Sequence, residues 1–456
     1  MGRALRHTPW PVLLLIASFL CPTELSVYVG SARLPPHRAL LLLLIPLAMW
    51  RLVGAKAFRV ATFDVLFLFF GMWTVFVYIY HHGQADGLQT GAALAIDSFG
   101  SFIVARAYVR SEAAFEATAA SLFGAVVVAG LMALPEMLGG QIFLHDFLAK
   151  VTGYVHPVAV EKRGGLTRAF GPFDHPIHLG TFCASGLALA AYAARREMTA
   201  ITRSLFVAAC AMTSVSSAPM LSLGVQVALM AFDKATRGIK GRVAIAFAVI
   251  AGAFGALSLV ATRSPFALIA TGLTLDPWTG YYRLMIWEHG LENVWSHPLT
   301  GLGLNDWDRP LWMVSSTIDA FWLVIAIRGG LPAFLLLVLG IAFLMFGATR
   351  RMRRASPALK RMGHGWVISL MALMLLGCTV HYWNVPFAYF FFFLGLGGCL
   401  ADPVRSAASV KARPVAAPTP RRVRWVMPEG EAMVAGRHAA AGRWPVPVAV
   451  GLVKAG

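Results

Sequence analysis

The 456-residue chain is short of charge. Only 13% of its residues are Asp, Glu, Lys or Arg, against 58% hydrophobic. A soluble globular domain carries about 25% charged residues, so this composition excludes an ordinary water-soluble fold. Recognisable catalytic signatures are lacking too. The sequence has no glycine-rich lysine loop to cradle a nucleotide phosphate, no zinc-binding HExxH helix and no GxSxG nucleophile elbow. No segment reads as a nucleotide-binding domain, so any chemistry must draw its energy from an activated substrate. Cysteine is scarce. The five residues Cys21, Cys183, Cys210, Cys378 and Cys399 lie in or beside apolar runs, with neither metal-ligand spacing nor a pairing pattern, and read as packing residues.

Long apolar runs take the place of charge. A run of ~20 apolar residues spans a bilayer, and such runs recur from end to end. They fall at roughly 10–30, 39–54, 61–80, 91–109, 117–138, 176–194, 203–217, 219–232, 243–262, 331–348, 366–383 and 386–401. The pattern predicts an all-α, polytopic integral membrane protein of about twelve transmembrane helices. The first run, "WPVLLLIASFLCPTELSVYVG", lacks a small-residue cleavage site and leads through "LPPHR" into the next. It reads as a span rather than a signal peptide. The pair 203–232 is interrupted by "TSVSSAPM".

The formal charge of +18 suggests nucleic acid at first, but its distribution follows membrane topology. Arg51, Lys56 and Arg59, then Arg106 and Arg110, then Arg195, Arg196 and Arg203, then Lys234, Arg237, Lys240 and Arg242, then "RRMRRASPALKR" and the basic tail all share one side. That is the arrangement expected of a chain with both ends in the cytoplasm, and it removes the case for a nucleic-acid partner. Residues 402–456 are rich in Ala, Pro and Arg and predict a mostly disordered cytoplasmic tail that can touch anionic lipid.

Two long connections, 139–175 and 263–318, fall on the opposite side, the second between the ninth and tenth predicted spans. Loops beyond ~15 residues are uncommon unless functional or disordered, and these carry the aromatic content of ordered segments. The first ends in "TRAFGPFDHPIHLGT". The second contains "YYRLMIWEHGLENVWSHPLTGLGLND" and runs into "SSTIDAFWLVIAIRGGLP". Their cations are mostly arginine: Arg163, Arg168, Arg263 and Arg283. A guanidinium is permanently charged and offers a planar fork of donors suited to phosphate, although interfacial arginines also snorkel to lipid headgroups.

Asp319 starts the segment that re-enters the membrane. It is either a helix N-cap or a carboxylate able to accept a proton from a hydroxyl. The "RGGLP" break after Arg328 separates a short helix at about 318–328 from the span proper. Asp97, within a span, is an ionisable group of the kind that is expensive in a membrane and often functional; Glu24 resembles it nearer the surface. Asp174, His175 and His178 crowd together in "DHPIH", but no third ligand set accompanies them, so substrate contact or loop packing is favoured over a metal. Trp278, Tyr281, Tyr282, Trp287 and Trp295 can stack on sugars or form an interfacial belt.

Four of these stretches resemble the O-antigen ligase and polymerase family of bacterial envelope enzymes: "TRAFGPFDHPIHLGT", "TSVSSAPMLSLG", "YYRLMIWEHGLENVWSHPLTGLGLND" and "IDAFWLVIAIRGGLPAF". The resemblance covers roughly 60–400. It implies a glycosyltransferase of the inner membrane, without metal or other cofactor, working on the periplasmic side. Its donor would be an undecaprenyl-pyrophosphate-linked oligosaccharide and its acceptor a sugar hydroxyl, with polysaccharide export or assembly proteins as possible partners. Arginines matching Arg168 and Arg283 would hold the pyrophosphate, with His175, His178, Arg263 and Asp97 as further substrate-facing candidates. The family's histidine at the re-entry segment is matched here by Asp319, and the asparagine after it by Ala320. That departure favours a polymerase of secreted polysaccharide over a lipid A core ligase. A transporter or flippase of a lipid-linked sugar is the reading from a different class, and such proteins tend to show paired repeats.

Overall fold

The computed structural model describes residues 7–54, 58–154, 159–239 and 277–401. Within them the chain is predominantly helical, with only two short antiparallel hairpins. The predicted span 243–262, Arg263 and the tail 402–456 lie outside the described residues. Among the described residues, five helical stretches are long and apolar enough to cross a membrane: Pro36–Val53, Thr62–Tyr108, Glu112–Gly139, Pro176–Ala193 and Phe321–Met352. Leu43, Trp50, Val53, Leu131, Leu138 and Phe346 are each more than 60% exposed on these helices. A helix that is apolar on its exposed side as well as its packed side suits a hydrocarbon surrounding.

We number the described elements in chain order. Helix α1 (Trp10–Ser18) is followed by hairpin β1–β2 (Val27–Val29, Ala32–Leu34) and α2 (Pro36–Val53). The stretch expected as a first continuous span therefore leaves helix at Ser18. Pro22 has no backbone N–H to donate, and a short 3-10 turn, Thr23–Leu25, leads into the hairpin. Next come α3 (Thr62–His82), α4 (Leu88–Ala95) and α5 (Ser101–Tyr108), the last two joined by a π-helical segment, Ile96–Gly100. The chain folds back at Gly83 (φ 74°). Gly91 then meets Val75 and Tyr78, while Gly71 meets Ala95 and Phe99. Small residues let these helix backbones come close, as in membrane helix pairs.

Helices α6 (Glu112–Gly139) and α7 (Phe143–Thr152) precede hairpin β3–β4 (Lys162–Arg163, Leu166–Thr167). Helices α8 (Pro176–Ser185) and α9 (Leu187–Ala193) form one apolar stretch. They are followed by α10 (Glu197–Met212) and α11 (Ser217–Ala235), parted where Val215 takes φ 41°. Helix α12 (Pro277–Ser296) lies within the second long connection. The last described elements are α13 (Phe321–Met352), α14 (Pro357–Leu376) and α15 (Val385–Ala401).

Helix α15 is the centre of the bundle, with every residue from Val385 to Leu400 buried. Its phenylalanines interlock with α3, where Phe70 stacks on Phe391 at 5.4 Å and Phe67 meets Phe391 at 6.3 Å, and its Gly395 lies close against Phe102 and Ala105 of α5.

The expected break in α13 is present. Gly330 has φ 73° within the helix. Backbone groups freed by a broken membrane helix need partners inside the protein, and the "PLTGLG" loop supplies them. The N–H groups of Leu302 and Gly303 donate to the carbonyls of Ile327 (2.7 Å) and Arg328 (3.0 Å), and that of Leu331 donates to Pro298 (2.8 Å). Trp73 Nε1 donates to Gly329 O at 2.8 Å. Gly301 and Gly330, both in the left-handed region, face each other's strands so closely that a Cβ on either would strike backbone.

Candidate functional site

One end of the bundle gathers the loop after β4, the start of α13, helix α12 and the turn between α14 and α15. Arg168 enters this end just after β4. Its backbone N–H donates to Glu161 O (3.0 Å), Nη1 pairs with the Glu161 carboxylate (2.5 Å) and Nη2 donates to Ser216 Oγ (3.0 Å). Its Nε is buried without a hydrogen-bond partner among the described residues.

The loop that follows is held by three carboxylates. Phe170 and Gly171 both donate N–H to Glu136 Oε2, each at 2.8 Å, and Gly171 turns at φ 55°. His145 lies against the same turn, with Nδ1 2.5 Å from Glu24 Oε1 and Nε2 2.9 Å from Gly171 O. Two acceptors on one imidazole call for the doubly protonated ring. Burial pulls the other way, but Glu24 holds the His145 pKa above its usual value. Asp174 then bridges Thr23 Oγ1 (2.5 Å) and Asn384 Nδ2 (2.7 Å), tying the loop to the turn before α15.

The two histidines of "DHPIH" have structural partners. His175 is the N-cap of α8, its Nδ1 accepting from Ile177 N–H at 3.1 Å, with Pro176 at the first helical position. His178 is fully buried, with Nε2 3.1 Å from His381 O and its ring centroid 3.7 Å from that of Trp383.

Arg283 is carried on α12 and pointed inward by the packing of Ile286 and Trp287; Trp287 Nε1 donates to Cys378 O at 2.9 Å. No hydrogen bond or ion pair reaches the Arg283 guanidinium from the described residues, and its Nε is buried. Its charge acts on Asp319, and the charges of Arg163, Arg168 and Arg283 bear on one another. Burial raises the Asp319 pKa above the ordinary carboxylate value, opposed by Arg283. The capping alternative for Asp319 falls away: Ala320 occupies the N-cap position of α13 and no side chain caps that helix. Asp319 is thus a half-buried carboxylate beside a half-satisfied arginine cluster. Of the aromatic residues on α12, Trp278, Tyr281 and Trp295 are exposed and Trp287 is packed.

Asp97, on the π-helical segment, lies outside the Arg168–Arg283–Asp319 cluster and is not open. Arg38 grips it through Nε (3.0 Å) and Nη2 (2.5 Å), and His37 Nε2 lies 3.6 Å away. This pair lines a cavity of about 300 Å³ shared with Tyr78, Arg328, His381 and Trp383. Arg328 reaches back through Nη1 to the carbonyls of Gly303 (2.9 Å) and Asn305 (2.5 Å). Residue-by-residue reading missed Arg38 and Glu136. Glu136 is a carboxylate inside an apolar run, "LMALPEMLG", the same signal that drew attention to Asp97.

No protein-family model matches the chain, and no curated protein matches it.

Proposed function

We propose that this chain is a glycosyltransferase of the bacterial inner membrane with about twelve transmembrane helices and both termini in the cytoplasm. On this reading the Arg168–Arg283–Asp319 end faces the periplasm. It transfers a glycan from undecaprenyl pyrophosphate to a sugar hydroxyl and so polymerises a secreted or surface polysaccharide. The observation that carries the reading is that Arg283, whose guanidinium makes no hydrogen bond or ion pair among the described residues, lies within electrostatic reach of a half-buried Asp319 that caps no helix.

The roles follow from charge flow. Asp319 takes the proton from the acceptor hydroxyl. The hydroxyl oxygen bonds to the donor's anomeric carbon as the bond from that carbon to the diphosphate oxygen breaks. The electron pair leaves with the diphosphate, and fixed donors aimed at that developing charge lower the barrier most where water is scarce. Arg168 and Arg283 are those donors. Glu161 and Ser216 hold the terminal nitrogens of Arg168, and Glu136 fixes the loop behind it.

Transport is the competing reading, and the broken helix α13 favours it, since discontinuous helices form the ion and substrate sites of many transporters. Here the freed backbone groups are already taken by residues 298–303, which leaves no open half-helix terminus. The test is glycan chain length, and the location of lipid-linked repeat units, in cells carrying Arg168→Ala, Arg283→Ala or Asp319→Ala at matched membrane levels. Loss of polymer with single units accumulating outside supports the transferase. Units trapped on the cytoplasmic face support transport, and normal polymer in all three removes this site from consideration.

A further inference from the structure

The opposite end of the bundle holds an open cavity of about 430 Å³. It lies where the last turns of α9 and α11 meet the first turn of α14. Arg237, Lys360, Arg361 and His364 line it, with Asp233 as its carboxylate. That carboxylate is engaged already. Tyr192 Oη donates to Asp233 Oδ2 at 2.8 Å, Arg237 Nη2 lies 3.5 Å from the same oxygen, and His364 Nδ1 lies 3.6 Å from Oδ1. Arg361 is braced by donating Nε to Tyr192 O at 2.9 Å, which fixes the plane of its fork. Lys360 is exposed, and its ammonium makes no hydrogen bond or ion pair among the described residues. The cavity wall thus presents three permanent cations against one carboxylate that its neighbours already occupy.

We propose that this cavity is a binding site for a phosphate group, separate from the Arg283 end. A braced guanidinium fork and a mobile ammonium suit the oxygens of a phosphate ester, and basic pockets between membrane helices take up anionic lipid headgroups. The volume falls within the range of small-ligand sites, about 300–1,000 Å³. The phosphate can belong to an anionic phospholipid or be free in solution, and the chemistry of the wall serves both.

The test uses the purified full-length protein, delipidated in detergent. Short-chain phosphatidylglycerol, phosphatidylcholine and inorganic phosphate are titrated separately, with bound ligand counted by native mass spectrometry and the melting midpoint read by tryptophan fluorescence. The double variant Lys360→Gln/Arg237→Gln should weaken phosphate-ligand binding by about tenfold. The melting midpoint without ligand should stay unchanged, because both side chains are exposed. Arg353→Gln/Arg354→Gln, on the neighbouring basic turn, should bind as wild type. Binding of phosphatidylglycerol but not of inorganic phosphate makes the ligand a lipid headgroup; binding of inorganic phosphate at similar strength makes it a soluble phosphate. The proposal fails if neither binds, if phosphatidylcholine binds equally well, or if the Lys360/Arg237 variant binds as tightly as wild type.

Discussion

Arg106 and Arg283 are both arginines taken out of water, at opposite ends of the bundle, and they are treated differently. Arg106 is 1% exposed and closed: Nε and Nη2 donate to the two oxygens of Asp64 at 3.0 and 3.2 Å, and Nη2 also reaches Arg59 O at 3.4 Å. Arg283 has its Nε buried with no such closure, and its charge faces a carboxylate that caps no helix. A buried pair costs desolvation and returns it through geometry, so breaking it is expensive. An arginine left incomplete carries the desolvation cost without the return, which makes sense where a ligand completes it. The difference separates an arginine closed by its own protein partners from one left open.

That contrast can be tested from both sides. The largest effect is expected at Asp319. Asp319→Asn should lower the transfer rate by about 10²–10⁴-fold while leaving membrane level and melting midpoint unchanged, as measured by polymer formed per unit protein. The carboxylate must be ionised to act as a base. Its raised pKa therefore places the acidic limb of the rate profile above the ordinary carboxylate range, with activity rising as pH rises through it. Arg283 favours the ionised form, so Arg283→Gln should move that limb to still higher pH. A limb that stays put would uncouple the two residues.

Arg106→Ala should behave in the opposite sense. Leaving the buried Asp64 charge without its arginine, with only the Ala61 N–H still donating to it among the described residues, should cost about 3–5 kcal/mol, seen as a fall in folded protein in the membrane and in melting midpoint, with the surviving protein still active. The smallest effect is expected at His175. Losing an N-cap costs about 1 kcal/mol, so His175→Ala should lower the melting midpoint by a few degrees with little change in rate. A loss of rate as deep as that of Asp319→Asn would move His175 from scaffold to substrate contact.

Much of this is legible in the sequence, and the reason the rest is not is physical. Helical runs announce themselves by length, and the α13 break was visible in "RGGLP" because glycine and proline act locally. The first run misled, since hydropathy hid the consequence of Pro22 and the hairpin after it. Arg168 and Arg283 stood out as arginines in aromatic, turn-rich loops. What sequence cannot supply is the partner across the fold. Asp97 looks free until Arg38, 59 residues away, is found gripping it. Whether Asp319 caps the re-entering helix turned on where that helix begins, two residues later at Phe321. His175 illustrates the reverse, because the proline after it was a readable helix-start signal that the cluster of polar residues obscured.

On the proposed function, Arg283 offers a diphosphate the donors that no described residue occupies, and Arg168 adds a guanidinium already braced by Glu161 and Ser216. The most direct measurement is the affinity of the purified protein for undecaprenyl pyrophosphate in wild type, Arg283→Ala and Arg168→Ala, with melting midpoints recorded on the same samples. Each removed guanidinium should weaken binding by at least about tenfold, from the loss of a charge-assisted contact worth roughly 1.5–3 kcal/mol, without lowering the midpoint of Arg283→Ala. Undiminished affinity in Arg283→Ala, or a fall in its stability like that expected of Arg106→Ala, would show that Arg283 is structural, as Arg106 is.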